Sequence, residues 1–410
     1  MMKTIKTLAM AAVAAALIAV APAEAQTKWN LPSAYPIDNP HLENLTAFAK
    51  DVSDATGGKL QIQIHAGASL FKGPEIKRAV ATGQAQAGEI LISILENEDP
   101  IFGIDVVPFL ATSFPDAMKL WKASKPLVEK KLAAQGIMVL FTVPWGPQGI
   151  YAKKDINTIE DMKGLKWRAY NVGTARIGEM VGAQAVTVQA AELPQALATG
   201  VVNAFMSSGA TGYDSKVWET LTHFYDTRAW IPRNVTFVNK AAFDALDKPT
   251  QEAVLKAAAT AETRGWKLWE SKTEWYHDEI ARKGMKVLKP SPALEAGFNA
   301  VFVPQARTWT LEREEVREGR GRLLRLARFT ELRDHLVQAL FAEAGLRPGW
   351  GGSIVDRSGI LVARSRDANL YVGKMAQPPL AAAAKGDAPS GLFDVVDRDG
   401  IDVRNSFYRS

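Results

Sequence analysis

Cysteine is absent from all 410 residues, so the chain forms no disulfide and offers no thiolate as metal ligand or nucleophile. Histidine is scarce. His41, His65, His223, His277 and His335 stand apart, with no i, i+4 pair and no matching carboxylate, which argues against a metal centre. Also missing are the Gly-x-Ser-x-Gly elbow, the His-Glu-x-x-His pair, the phosphate-cradling Gly-x-x-x-x-Gly-Lys loop and the Gly-x-Gly-x-x-Gly fingerprint. No two carboxylates have a spacing that points to acid–base work. An enzyme reading is left with a secreted α/β hydrolase of unusual type, which turnover of a small ester would reveal. Beyond the first segment no apolar run approaches the roughly 20 residues of a membrane span. No basic stripe is interleaved with aromatics, so the formal net charge of +5 is weak evidence for nucleic acid, and none is expected as a partner.

What is present begins with a targeting pattern. Lys3 and Lys6 precede an uncharged, alanine-rich run over residues 8–20, and Ala23-Glu24-Ala25 supplies a small-x-small cleavage site before Gln26. Residues 1–25 read as a cleaved secretory signal, with an uncleaved anchor as the alternative, and the mature chain is expected in the periplasm. A change of composition then divides the remainder. Residues 26–301 hold 23 Lys and 7 Arg, whereas residues 302–410 hold 2 Lys and 15 Arg. Both residues carry the same charge, so two segments of different origin joined near residue 300 is the simplest account. An arginine-rich tail within one domain is the other.

The first segment alternates α and β. Asn39-Pro40 starts a helix whose Leu42, Leu45, Phe48 and Val52 share one face, and Gly57-Gly58 stops it. Strands are expected over 60–64, 87–94, 137–143, 201–206, 224–230 and 235–239, with helices from Pro74 and over 212–221. Strands separated by helices imply mostly parallel sheets. From Pro249 to about Lys283 one helix is expected, interrupted only by Gly265. It would be ~50 Å long and would reach two lobes, with its tryptophans serving packing.

Within this segment IEDMKGLKWRAYN, residues 159–171, is the most informative stretch. A short helical turn closes at Gly164, and Leu165, Trp167 and Ala169 then alternate with Lys166 and Arg168 as in a half-buried strand. Arg168 thus stands at a strand end, where its planar fork of donors suits a carboxylate; a surface arginine on an edge strand is the plain alternative.

The stretches SLFKGPEIKRAVATGQAQAGE, IDVVPFLATS, DMKGLKWRAYN and VQAAELPQALATGVVNAF occur in one order and spacing. Through them residues 26 to about 300 resemble the extracytoplasmic solute-binding subunit of tripartite ATP-independent periplasmic (TRAP) transporters, of the dicarboxylate-binding-protein type. The resemblance implies a two-lobed periplasmic binding protein fold, α/β throughout, with a long lobe-spanning helix. It implies a small organic acid as ligand, TRAP membrane permease subunits as partners, and no cofactor. Arg168 falls on the arginine that grips the ligand carboxylate. Further pocket contacts are implied at Tyr35, Glu89, Trp145, Gln148, Asn171 and Ser207. Gln148 stands where many members have a second arginine, and Ser207 where many have asparagine. A neutral amide cannot balance a second anion, so a ligand with one dominant carboxylate is expected. Each accessory residue has a plainer role open to it: Trp145 as a loop seal, Glu89 paired with a surface lysine, Asn171 as a helix cap, Ser207 in a turn.

In residues 302–410 a helix is expected over 323–344, followed by two stretches, SIVDRSGILVAR and LFDVVDRDGIDVRNSF, that place Asp-Arg-x-Gly between apolar runs as in β-hairpins. Asp397 and Asp399 fit this turn rather than calcium, because the downstream bidentate glutamate is missing. IVDRSGILVARS, YVGK and the second strand pair resemble the membrane-proximal lobe of Cache sensory domains, a small α+β (PAS-like) unit. A ligand-sensing fusion is therefore the alternative to a transport receptor.

Overall fold

The computed structural model describes residues 26–306 and, beyond them, four strand segments; the expected signal over residues 1–25 lies outside the described residues. The chain opens with β1 (Thr27–Pro32) and α1 (Pro40–Ala55). Asn39 accepts the backbone N–H of His41 at 2.9 Å, and Pro40 occupies a helix position that needs no donor. Leu42, Leu45, Phe48 and Val52 are all fully buried, as their spacing predicts. There follow β2 (Leu60–His65), parallel to β1, then α2 (Gly73–Ala81), β3 (Ala87–Leu91), α3 (Phe114–Ala133) and β4 (Ile137–Pro144). β3 is shorter than expected because Ile92–Leu95 winds into a 3-10 turn.

Four residues carry the chain into a second lobe: β5 (Gly149–Ala152), β6 (Lys166–Ala169), α4 (Val172–Met180), β7 (Gln184–Thr187), α5 (Leu193–Ala198), β8 (Ala204–Ser207), α6 (Gly209–Asp214) and β9 (His223–Tyr225). The single helix expected over 212–221 is instead α6 plus a 3-10 turn at Val217–Glu219. They are separated by Lys216 at φ 47°, a left-handed residue that no helix accommodates. The chain then returns to the first lobe through β10 (Arg233–Asn239) and α7 (Lys240–Asp244).

The strand orders are β3-β10-β4 in the first lobe and β11-β9-β5-β8-β6-β7 in the second, where β11 is Lys286–Leu288. Mostly parallel pairing does not hold. β10 runs antiparallel to both β3 and β4, and β5 runs antiparallel to both β8 and β9. The reason is topological. β5 and β10 are the two strands that follow a lobe crossing directly, without a helix to turn the chain around. Each inserts against the grain of a sheet whose other members run parallel.

α8 (Lys248–Arg282) spans 35 residues, about 52 Å at 1.5 Å per residue. Val254, Ala258 and Ala261 lie in the first lobe's core, whereas Ile280 packs with Val217 and Phe224 of the second. Gly265 explains itself: a β-carbon there would stand 2.6 Å from Val143 and 2.8 Å from the Asn44 amide, so glycine lets α8 press onto β4 and α1. Among the described residues no helix is long and apolar enough to cross a membrane. α9 (Pro292–Ala306) runs across the composition change near residue 301, with Leu294 and Phe298 buried against the second lobe. Farther on, β12 (Ser353–Val355) pairs antiparallel with β13 (Leu361–Arg364), and β14 (Ser390–Val396) with β15 (Asp402–Tyr408), as the hairpin pattern predicts. The helix expected over 323–344 lies outside the described residues, as does the connection that would make these strands Cache-like.

Candidate functional site

A cavity of about 180 Å³ lies where the two lobes meet, and five of the seven sequence-derived site residues line it: Tyr35, Trp145, Gln148, Arg168 and Ser207. Among the described residues Arg168 is the only arginine on its wall. It sits on β6, flanked on both sides by β8 and β7, so the strand is internal and the alternating exposure expected of an edge does not occur. The turn that aims it is built from a 3-10 helix at Ile159–Met162 and Gly164 at φ +76°. The Arg168 side chain is 3% exposed. Its Nε donates to the Val188 carbonyl at 2.9 Å, and its guanidinium lies 5.1 Å from the centre of the Tyr170 ring. Among the described residues no carboxylate pairs with it and no hydrogen bond engages its two terminal nitrogens. Burial lowers its pKa to about 10, which leaves it cationic at neutral pH. A desolvated cation without a counter-ion is costly, and the arrangement suits an anion supplied from outside.

The other wall residues are held by protein partners. Gln148 donates through Nε2 to the Gly146 carbonyl at 2.9 Å, and its Oε1 accepts the Tyr170 hydroxyl at 3.3 Å. Tyr170 in turn accepts Trp230 Nε1 at 3.1 Å. The Ser207 hydroxyl donates to Thr211 at 2.8 Å. Trp145 is part of the wall rather than a loop seal. Its ring packs on Tyr35 at 4.8 Å, His41 at 4.4 Å and Trp269 at 4.9 Å, and its Nε1 donates to Asn234 at 2.7 Å.

Glu89 and Asn171 stand behind the wall instead of on it. Asn171 caps α4, accepting the Thr174 N–H at 2.8 Å, and its amide donates to Ser93 of the first lobe at 2.9 Å. Both of its polar atoms are therefore spent. Glu89 is buried among Ser33 (2.6 Å), Asn234 (2.5 Å) and His41 Nδ1 (3.3 Å), with no lysine partner. Through Asn234 it orients Trp145. Five polar wall residues lie outside the sequence-derived set: Lys72, Tyr170, Gln189, Glu192 and Thr211. Tyr170 was within reach of sequence reasoning, since it stands two residues after Arg168 and an extended chain places both on one face.

Burial raises the Glu89 pKa to about 7, against hydrogen bonds from Ser33 and Asn234 that pull it down, and burial keeps His41 well below its usual value. A folded pKa above the unfolded one means that the native state binds the extra proton, so stability declines as pH rises between the ordinary glutamate value and about 7. Glu89→Gln is isosteric and cannot ionise. It is expected to melt with a flatter pH dependence than the parent protein from pH 4.5 to 7.5; parallel melting curves across that range would refute the assignment. Among the described residues no group of three or more His, Asp or Glu could hold a metal ion.

The model of bacterial extracellular solute-binding protein family 7 (DctP) matches residues 33–310. Among solved structures, DctP6, a Bordetella pertussis extracytoplasmic solute receptor binding pyroglutamic acid, is 54% identical, superposes with a TM-score of 0.69, and covers 70% of this chain and 96% of its own. A marine-metagenome TRAP solute-binding protein specific for pyroglutamate is 41% identical, with TM-score 0.69, covering 75% of this chain and 99% of its own. A curated solute-binding protein of Chromohalobacter salexigens is 24% identical over 271 residues, which is 65% of this chain and 80% of the relative.

Proposed function

Because this chain belongs to family 7 of the bacterial extracellular solute-binding proteins, we propose that it captures a small carboxylic acid between its lobes and hands it to the membrane subunits of a TRAP-type transporter. It is a receptor and not an enzyme. The observation that carries the ligand class is Arg168, a buried guanidinium on the cavity wall with no paired anion among the described residues. In this reading its terminal nitrogens take the ligand carboxylate as a fork, Trp145 and Tyr35 cover the rest of the molecule, and Gln148 and Ser207 complete the polar wall. Glu89 and Asn171 act from behind, fixing Asn234 with Trp145 and the start of α4. The ligand favours the shut form by its differential affinity for the two lobe arrangements, and the shut form is what the membrane subunits engage. Residues 1–25 act as the cleaved export signal. The comparisons with known proteins give the Cache-like reading of residues 302–410 no support, and the two antiparallel strand pairs bear only on the hairpin pattern, so no sensing role is proposed.

The ligand we assign is pyroglutamate or a close relative: one carboxylate on a small lactam ring. Three considerations support it. Receptors that bind pyroglutamate are 54%, 39% and 41% identical to this chain. A cavity of about 180 Å³ is little larger than the ~150 Å³ that accepts one benzene ring, so it suits a compact ring acid. Arg168 has no second buried cation beside it on the wall; Lys72, the other one lining the cavity, is solvent-exposed and screened. Calorimetry with pyroglutamate, and with glutarate and succinate as competitors, tests the assignment. Pyroglutamate is expected to bind at least tenfold more tightly than either diacid, and a clear preference for a diacid would overturn it.

A further inference from the structure

We propose that Gln189 is the specificity-determining residue that reads the cyclic amide of the ligand, through paired hydrogen bonds from its carboxamide. The inference rests on the pyroglutamate reading above and adds a site that the family match does not assign.

Gln189 follows Val188 directly, and the Val188 carbonyl is the group that holds Arg168 Nε at 2.9 Å. The carboxamide therefore starts one residue away from the anchor of the carboxylate. Its backbone is already fixed: the N–H donates to Glu192 Oε2 at 3.2 Å, and the carbonyl accepts Glu192 N–H at 3.0 Å, opening the 3-10 turn Ala190–Glu192. The side chain is half-buried and lines the cavity. It reaches toward the opposite lobe, where its Oε1 lies 4.0 Å from the point a β-carbon of Gly73 would occupy. Apart from the capping-box approach of the Glu192 backbone N–H to its oxygen, among the described residues no partner engages this carboxamide, so its Nε2 hydrogens and one oxygen lone pair face the cavity unused.

The other amide on the wall is committed, as are other donors there. Gln148 is held at both ends of its amide, and the Tyr170 hydroxyl is spent on it. Ser207 donates to Thr211, and Trp145 donates to Asn234. That leaves Gln189 as the amide with both a donor and an acceptor to offer. A lactam in a small ring is locked cis, with N–H and C=O side by side on one edge. A primary carboxamide presents the complementary pair on one edge, so the two groups match by two antiparallel hydrogen bonds. A ring acid without the amide would leave the Gln189 groups unpaired inside a closed cleft, which is how such sites discriminate.

The test compares pyroglutamate with cyclopentanecarboxylate by calorimetry on the full chain and on Gln189→Met, which keeps side-chain length but neither donates nor accepts as an amide does. The parent protein is expected to prefer the lactam by about 10- to 100-fold, and the variant to bind cyclopentanecarboxylate as the parent does with that preference reduced to within about threefold. A variant that keeps the full preference overturns the role of Gln189 and leaves the proposed function standing. An equal loss for both ligands also overturns it, since Gln189 would then serve only the lip between the lobes. If the parent binds cyclopentanecarboxylate but not pyroglutamate, the ligand reading itself fails, and this assignment with it.

Discussion

Arg168→Met is expected to abolish most ligand binding and yet leave the ligand-free protein as stable as before, or more so. Truncating one partner of a desolvated, hydrogen-bonded charge pair typically costs about 2–5 kcal/mol, a loss of affinity between roughly thirty-fold and a few thousand-fold. The unusual half of the expectation concerns the empty receptor. Arg168 is buried, its only hydrogen bond among the described residues runs to the Val188 carbonyl, and burial already pushes its pKa down to about 10. Removing it forfeits one neutral-acceptor bond but also removes an uncompensated cation from low dielectric, and the second effect offsets or exceeds the first. Calorimetry and thermal melting of the same sample check both halves. Affinity within threefold of the parent would take Arg168 out of the site, and a collapse of the ligand-free fold would make its role structural.

The largest stability effect is expected at Asp105. Its carboxylate accepts the Arg233 backbone N–H at 2.9 Å and lies 3.2 Å from Arg233 Nε, with both side chains 3% exposed or less. Arg233 also donates to Ser124 at 3.4 Å and lies 5.2 Å from the centre of the Trp121 ring. This residue opens β10, the middle strand of the first lobe's sheet. Asp105→Ala would strand a guanidinium in the core, at a cost of about 3–5 kcal/mol. For a protein of this size that is a fall in melting temperature on the order of 10 °C. The double variant Asp105→Leu with Arg233→Met should recover much of the loss, because neither charge is then left alone. A single variant melting within a degree of the parent would show that the pair contributes nothing.

What could be read from the sequence, and what could not, divides along physical lines. The face of α1, the length of α8 and the placing of Arg168 follow from periodicity, from caps and from the turn at Gly164, all local properties. The mixed direction of the sheets was hidden, because alternation of strand and helix says nothing about a strand that enters from another lobe. Arg168 was expected on a half-buried strand, whereas β6 is covered on both faces, and a period-two pattern cannot reveal how many strands flank it. Glu89 stands in an apolar strand, but its partners Ser33, His41 and Asn234 lie up to 145 residues away in sequence. Asn171 fits the plain cap reading that its position before α4 allowed. Gln189 and Lys72 lie within family-like motifs, but nothing local distinguishes a glutamine facing a cleft from one facing water.

The two strands that run against their neighbours have a consequence for biogenesis. Each is lent to one half of the molecule by a stretch of chain arriving from the other: β10 separates β3 from β4, and β5 separates β8 from β9. A fragment ending at residue 144 would lack the strand that joins its two outer ones, so the N-terminal half cannot complete its sheet until residue 239 has been synthesised and has emerged. The N-terminal half is therefore not an autonomous folding unit, and a nick in either linker places β10 on a different fragment from β3 and β4. The first lobe's sheet thus stays open until most of the chain is available at once.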